Sequence, residues 1–417
     1  MLEIRPRGSI DGAEVVLDIS RLLSRALHAM PTGVDRCEMA YATDLIERIP
    51  DRLSFSALHP AGAYGRLSWP AVRQFLSSTG ARWRHGGKID PLTLKVSALR
   101  HWTALWPKPV PAARRPRVYL QASPHHLERG DKVRAILRRE NAAFVCLVHD
   151  VIPIVHPEYA REDGAMKHLA RIRSVADHAA GIVSNSAATE EALIPFLQAV
   201  GHRPELRIAH LGVDVPDMID ARKGGDAPGI DGPYFVCVAT IEPRKNHLLL
   251  LNIWRRLIER HGHAAPKLVL IGRRGWENEQ IVDMLDRCAT LKGHVIEYGG
   301  LPDRQMRSLM AGARALLLPS FAEGFGMPVT EALIARVPVI ASDLGALMEA
   351  GGAAADYLDP LDGFGWMDAI LDYAKPDSAR RAAQLERIRD WRPPSWRAHL
   401  DTVMELVDAV AERPAMA

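Results

Sequence analysis

Short apolar runs alternate along this chain with longer stretches whose apolar residues recur every three or four positions. EVVLDI (14–19), RLSFSALH (52–59), RVYLQAS (117–123), AAFVCLVHD (142–150), GIVSNS (181–186) and LRIAHLG (206–212) read as strands. Helical stretches lie between them, such as Glu158 to Ala179 and Ala187 to Val200. This alternation predicts a parallel sheet covered on both faces. Residues 213–232 are rich in Gly, Pro and Asp without periodicity, and read as a linker. The pattern then restarts with YFVCVAT (234–240), KLVLIG (267–272), HVIEYGG (294–300), RALLLPS (314–320) and VPVIAS (337–342). Asn246 is placed to cap the helix after the first of these, and Gly262 to stop it. Pro302 and Asp303 open a later helix, and Ser395 to Val410 reads as a last one before a frayed ERPAMA tail.

The expected fold class is therefore α/β, with two doubly wound domains. The boundaries are 1–212, linker 213–232, 233–392, and a terminal helix and tail over 393–417. Such sheets bind ligands where strands end and loops lead into helices, so two of them define a site in the cleft between. Candidate chemistry belongs at strand ends.

Two stretches there stand out. In PSFAEGFGMPVTEA (319–332), Glu323 and Glu331 flank a Gly-Phe-Gly turn between an apolar strand and a helix whose first turn suits Pro328. Glycines allow close backbone approach, and a helix start offers free N–H groups to an anion. Ionised carboxylates only accept hydrogen bonds, which suits hydroxyl-rich ligands. A nucleotide sugar has an anion in the middle and hydroxyls at both ends. The same pattern also fits an ordinary turn whose glutamates favour the helix dipole. In ATIEPRKNH (239–247), Arg244 and Lys245 follow the restarted domain's first strand. A guanidinium fork and an ammonium suit a diphosphate that gains charge as it leaves; a solvated basic loop is the plainer reading.

With these residues in place, the chain resembles a family 4 glycosyltransferase of the GT-B fold. TIEPRKNH, LIGRRGW, YGGLPDRQM, LLLPSFAEGFGMPVTEAL and VPVIASD occur in family order, and PTGVDR (31–36) and VHDVIPIVHPEY (148–159) extend the likeness to the first domain. The resemblance implies roles. Glu323 would face the donor sugar and Glu331 the ribose. Gly324, Phe325, Gly326 and Met327 would contact sugar and phosphate, and Arg244 and Lys245 would hold the diphosphate. Gly33 matches a glycine loop near the donor phosphates. Thr240 and Arg273 complete the implied donor set, with base contacts expected within Gly272 to Trp276. His149 would touch the transferred sugar and Asp150 the acceptor. His125, His126 and His156 read as structural. Two positions depart from the family pattern: Arg336 stands where a glycine is common, and Met348 where a proline commonly precedes the glutamate, here Glu349.

The resemblance further implies retention of anomeric configuration by a front-face mechanism, without cofactor or metal. No Asp-x-Asp occurs in the sequence. The EPRKN and HD versions resemble mannosyltransferases that use GDP-mannose; UDP-hexoses, GDP-fucose and dTDP-rhamnose remain open. The acceptor would be a glycolipid or polysaccharide precursor. A nucleotide-sugar epimerase of the same fold and a degenerate nucleotide- or glycan-binding scaffold are the alternatives.

Charge adds a partner. The net charge of +3 divides into 29 basic against 21 acidic residues over 1–212 and 24 against 29 beyond. Residues 66–139 alone hold 16 against 3. Within 66–116, Trp83, Trp102 and Trp106 alternate with Arg82, Arg84, Arg100, Lys108, Arg114 and Arg115. Tryptophan among arginines is an interfacial composition, so this face is expected to meet an anionic membrane; a solvated surface over core tryptophans is the other reading. No nucleic-acid-binding module is recognisable. No apolar run reaches the ~18 residues a membrane span needs and no apolar leader is visible, so a cytoplasmic protein, peripheral at the inner membrane face, is expected. Cys37, Cys146, Cys237 and Cys288 are scattered, which argues against disulfides and structural zinc.

Overall fold

The computed structural model describes residues 12–85, 90–201, 203–213 and 229–412. Most of the expected linker (214–228) and the tail beyond 412 lie outside the described residues. The first sheet contains β1 (Glu14–Asp18), β2 (Leu53–Leu58), β3 (Tyr64–Arg66), β4 (Arg117–Gln121), β5 (Ala143–Val148), β6 (Gly181–Ser184) and β7 (Glu205–Ile208). Its order is β3-β2-β1-β4-β5-β6-β7, parallel except for β3. The second contains β8 (Tyr234–Val238), β9 (Lys267–Ile271), β10 (Val295–Tyr298), β11 (Leu316–Leu318), β12 (Val339–Ser342) and β13 (Asp356–Leu358). Its order is β10-β9-β8-β11-β12-β13, all parallel. Each order reverses once, between β1 and β4 and between β8 and β11, and those switch points face the ligand crevice.

The expected strands recur because buried parallel strands leave continuous apolar runs. The short edge strands β3 and β13 carry too few apolar residues to be read that way. The run 206–212 is strand only to Ile208. The chain then turns at Gly212, where a Cβ would lie 2.1 Å from the Trp396 nitrogen. Trp396 opens the terminal helix, Trp396–Ala411, which Ser395 caps by accepting from Ala398 N (3.1 Å). That helix packs on the first domain, not the second: Leu406 covers Gly181, His399 Nε2 meets the Tyr41 hydroxyl at 2.7 Å, and Arg48 pairs with Asp401 at 2.5 Å.

Two local expectations change. Asn246 precedes the helix His247–His261 but does not cap it through its side chain; it sits at φ +53° and donates to Pro360 O (3.0 Å). Arg336, in the glycine position, takes φ +52°. A left-handed conformation costs a side-chain-bearing residue about 1–2 kcal/mol, which explains why glycine suits the site.

The basic stretch sorts into buried and outward groups. Arg66 and Arg117 are buried against buried Glu140 and half-buried Glu14: Arg66 reaches Glu140 at 2.7 Å and Glu14 at 2.8 Å, and Arg117 reaches Glu14 at 2.7 Å. Burial alone would raise the Glu14 pKa, but the Ser54 hydroxyl and these two arginines hold it at about 2. Trp83 is buried and Trp102 donates to Leu23 O (3.0 Å). Trp106 faces outward. The helix Pro91–Ala104 is apolar on both sides. Ala98 faces in, while Leu92, Val96 and Leu99 are 68%, 44% and 63% exposed. No helix among the described residues is long and apolar enough to cross a membrane.

Candidate functional site

The ends of β8 and β11 bring the second domain's charges together. Pro243–Lys245 forms one 3-10 turn after β8. Arg244 donates to Glu323 Oε2 (2.9 Å), to the Ala322 carbonyl (2.7 Å) and to Glu242 Oε1 (2.8 Å). Lys245 Nζ and Ser320 Oγ donate to Glu323 Oε1 at 2.5 and 2.7 Å. Burial alone would raise the Glu323 pKa, but the Lys245 and Arg244 charges outweigh it and hold the carboxyl at about 2. The Arg244 guanidinium is raised: burial disfavours its charge, and Glu323 and Glu242 more than compensate. Glu242, which the sequence reading did not single out, makes this cluster charge-neutral. Both Glu323 oxygens are engaged by the clamp, so the carboxylate orients the two cations. A diphosphate in the cleft would meet the remaining N–H groups of Lys245 and Arg244.

The turn after β11 closes against the first domain. Gly326 takes φ +99°, and a Cβ there would lie 2.4 Å from Leu347. Met327–Ile334 then forms a helix with Pro328 in its first turn, as expected. Phe325 is buried on His210, with ring centroids 5.3 Å apart. At Gly324 a Cβ would lie 2.3 Å from the His149 carbonyl. Ser186 Oγ and Thr189 Oγ1 donate to the Gly324 carbonyl at 2.6 and 3.1 Å. Glu349 crosses the same boundary and accepts from Ala187 N (2.7 Å) and Ala188 N (3.1 Å) at the start of the helix Ala187–Gln198, with His210 Nε2 3.0 Å away. Arg36 pairs with Asp303 at 2.5 Å, again between domains.

The first domain supplies the opposite wall. Gly33 starts the helix Gly33–Arg48, and a Cβ there would meet the Met327 methyl at 2.5 Å. Thr32 and Asp35 form a capping box, and Arg21 reaches both, at 3.0 and 2.6 Å. His149 Nε2 lies 2.8 Å from the Ala122 carbonyl, which can only accept, so Nε2 carries the hydrogen and Nδ1 the lone pair. Burial lowers its pKa, and the ring is neutral. Asp150 Oδ1 accepts from Ile152 N (3.1 Å), and His168 Nε2 lies 2.9 Å from the Asp150 carbonyl.

Together these residues line a cleft of about 800 Å³. His149, Asp150, Gly33, Thr240, Arg244, Lys245, Glu323, Gly324, Phe325, Gly326 and Met327 all border it. Glu331 does not. It borders a small recess of about 40 Å³ with Arg36, Arg307 and Trp396, which shares Met327 with the cleft. Arg273 is exposed outside the cleft lining, where its charge adds to the burial that lowers the pKa of Arg25 and His28. The expected base segment instead contributes Trp276, whose Nε1 donates to Tyr159 O (3.0 Å) beneath the Arg161 guanidinium, 4.7 Å from the ring. Sequence reasoning missed Arg21, Arg161, His168 and Arg171 on the cleft wall. Their spacing carries no motif; the HPEY turn and the following helix assemble three of them only in three dimensions.

Comparison with known proteins agrees with this fold. Residues 226–355 match the family Glycosyl transferases group 1. O-antigen chain mannosyltransferase B of Escherichia coli is 34% identical over 163 residues, 39% of this chain and 42% of that protein. The serotype-specific mannosyltransferase WbdA of Escherichia coli is 28% identical over 51% of this chain and 27% of its own. The phosphatidyl-myo-inositol mannosyltransferase of Mycolicibacterium smegmatis is 29% identical over 43% of this chain and 48% of its own. The matches thus span less than half of each of these relatives. Among solved structures, Anabaena HepE in complex with UDP and glucose superposes with a TM-score of 0.62 at 17% identity, covering 95% of this chain and 99% of that one. The sucrose-phosphate synthase of Thermosynechococcus elongatus superposes with a TM-score of 0.61 at 18% identity, covering 94% and 98%.

The clamp yields a stability prediction. Glu323 has a folded pKa near 2, below the ordinary 4.5, so its contribution is complete above about pH 4.5 and is lost as pH falls through 2. Glu323→Gln should cost about 3 kcal/mol at pH 7, because Lys245 loses its carboxylate partner and Arg244 keeps only Glu242. In denaturant titrations the gap to wild type should shrink by more than half by about pH 3, as protonation of the wild-type carboxyl catches up. An equal gap at both pH values would show that the charge is not what holds the clamp.

Residues 226–355 therefore match the group 1 glycosyltransferases, in a chain that has the two-domain GT-B fold.

Proposed function

We propose that the protein transfers mannose from GDP-mannose to a glycolipid or polysaccharide-precursor acceptor. The observation that carries this is the Arg244–Lys245–Glu323 clamp, buried at a strand end and facing a cleft built from both domains. Mannose is favoured because three sequence relatives are mannosyltransferases by name. Arg244 and Lys245 stabilise the departing diphosphate, and their fixed positive charge takes the part a metal ion plays in other sites. Retention of configuration fits a neutral His149 beside the sugar position and an acceptor hydroxyl deprotonated by the leaving phosphate. Asp150, on the first domain's wall, is the group placed to orient that hydroxyl.

The acceptor is proposed to be reached at an anionic membrane. Leu92, Val96 and Leu99 recur at one face of an exposed helix, Trp106 is exposed just beyond its end, and Lys95 and Arg100 stand exposed on the same helix. Such a ridge inserts its apolar side chains among acyl chains while its cations meet anionic headgroups.

Thermal shift with GDP, UDP, dTDP and ADP tests the donor. Ligand at ~100 times its Kd stabilises the folded state by roughly 2.7 kcal/mol, so GDP should stand out. UDP standing out instead would refute GDP-mannose, and silence from all four would refute the transferase reading. Vesicle flotation tests the surface: the protein should float with phosphatidylglycerol-containing vesicles at physiological salt and Leu99→Asp should not. No flotation of the wild type would refute membrane contact.

A further inference from the structure

A second recess of about 440 Å³ opens beside the cleft, on the far side of the Pro243–Lys245 turn. It is half the volume of the cleft and within the range of small-ligand sites. Its chemistry differs. The cleft is lined by Arg21, Arg161, Arg171, Arg244 and Lys245. Among the described residues, no Lys or Arg lines the recess, and Glu277 and Glu279 border it. A phosphate would meet carboxylates there without a compensating cation, so nucleotide and diphosphate belong to the cleft.

What the recess offers suits hydroxyls and C–H faces. Tyr159 from the first domain and Phe321 from the second form one wall, their rings parallel within 7° and 5.8 Å apart. Asn246 and Asn278 each spend Nδ2 on a backbone carbonyl, of Pro360 and Ile241, and each keeps a side-chain carbonyl that can accept from a hydroxyl. Gln280 adds a complete amide and the two glutamates add acceptors. Aromatic faces, amides and carboxylates without a cation are the complement of a neutral sugar. Tyr159 borders both cavities, so a glycan entering the cleft can continue past it. The first domain contributes Tyr159 to the recess and the second domain the rest of its lining, so the aromatic wall is complete only while the domains are together.

We propose that this recess binds a neutral oligosaccharide, the sugar units of the acceptor that trail behind the reacting hydroxyl. The inference rests on the transferase reading and narrows its acceptor to a glycan of several sugars.

Calorimetric titration of the full chain with α-linked mannotriose, with and without saturating GDP, tests it. Mannotriose should bind in both conditions. Gln280→Ala should weaken it roughly fivefold, one hydrogen bond's worth, with GDP affinity unchanged. Glu277→Gly, at a position where the chain already takes φ +48°, should fold and weaken binding to a similar extent. Mannose 6-phosphate should bind no better at this site than mannose. No binding, binding abolished by GDP, or binding indifferent to both substitutions would overturn the proposal. Failure of the transferase reading shows up separately, as the absence of nucleotide binding, and the titration without GDP still reads the recess in that case.

Discussion

The backbone of Gly324 lies so close to the His149 carbonyl that no side chain fits between them, and the site is organised around that approach. The two hydroxyls of Ser186 and Thr189 hold the Gly324 carbonyl from the other side. The Gly324 turn of the second domain is thus positioned by the end of β5 and by the start of the helix Ala187–Gln198 in the first. Glu349 strengthens the junction by satisfying two N–H groups at a helix start in the opposite domain, which helix termini otherwise leave without partners. Pulling the domains apart would leave a carboxylate, two hydroxyls and two backbone donors to find new partners at once.

Charge is distributed to match. The clamp of Glu242, Arg244, Lys245 and Glu323 is neutral as a group, and its carboxylates offset the desolvation cost that would otherwise disfavour the charge of Arg244. The first domain adds Arg21 and Arg171, paired with Asp35 and Glu128, and Arg161 over an indole. The resulting cleft favours an anion, and the recess beyond Tyr159 disfavours one. Two chemistries side by side, joined by one aromatic residue, fit a reaction between an anionic donor and an uncharged glycan.

Much of this was legible in the sequence where a residue's role is local. The apolar runs gave the parallel strands, Gly326 and Pro328 the turn and helix start, and the spacing around Glu323 the site's position. Arg336 shows that even a departure from the family pattern has a readable cost, since its backbone keeps the glycine conformation. What was not legible depends on distant partners. Arg66 looked like surface charge and is buried between Glu14 of β1 and Glu140 at the end of the helix Gly130–Glu140, 52 and 74 positions away in sequence. Asn246 had a capping residue's identity but spends its amide on Pro360. Glu331 had a motif's spacing, yet its helix directs it to the recess with Arg36 and Arg307 and not to the main cleft. Arg273, expected among the donor contacts, stands outside the cleft lining, and Trp276 takes the inward position beside it.

The central claim is that contact between Gly324 and His149 assembles the site from two domains. Small-angle scattering of Gly324→Ala, paired with its GDP affinity, tests it most directly. A Cβ 2.3 Å from a backbone carbonyl forces the backbone to shift where the two domains meet. The account predicts a larger radius of gyration than wild type, with GDP affinity reduced and thermal unfolding still cooperative. A variant with unchanged scattering and unchanged affinity would show that the junction is not what builds the site.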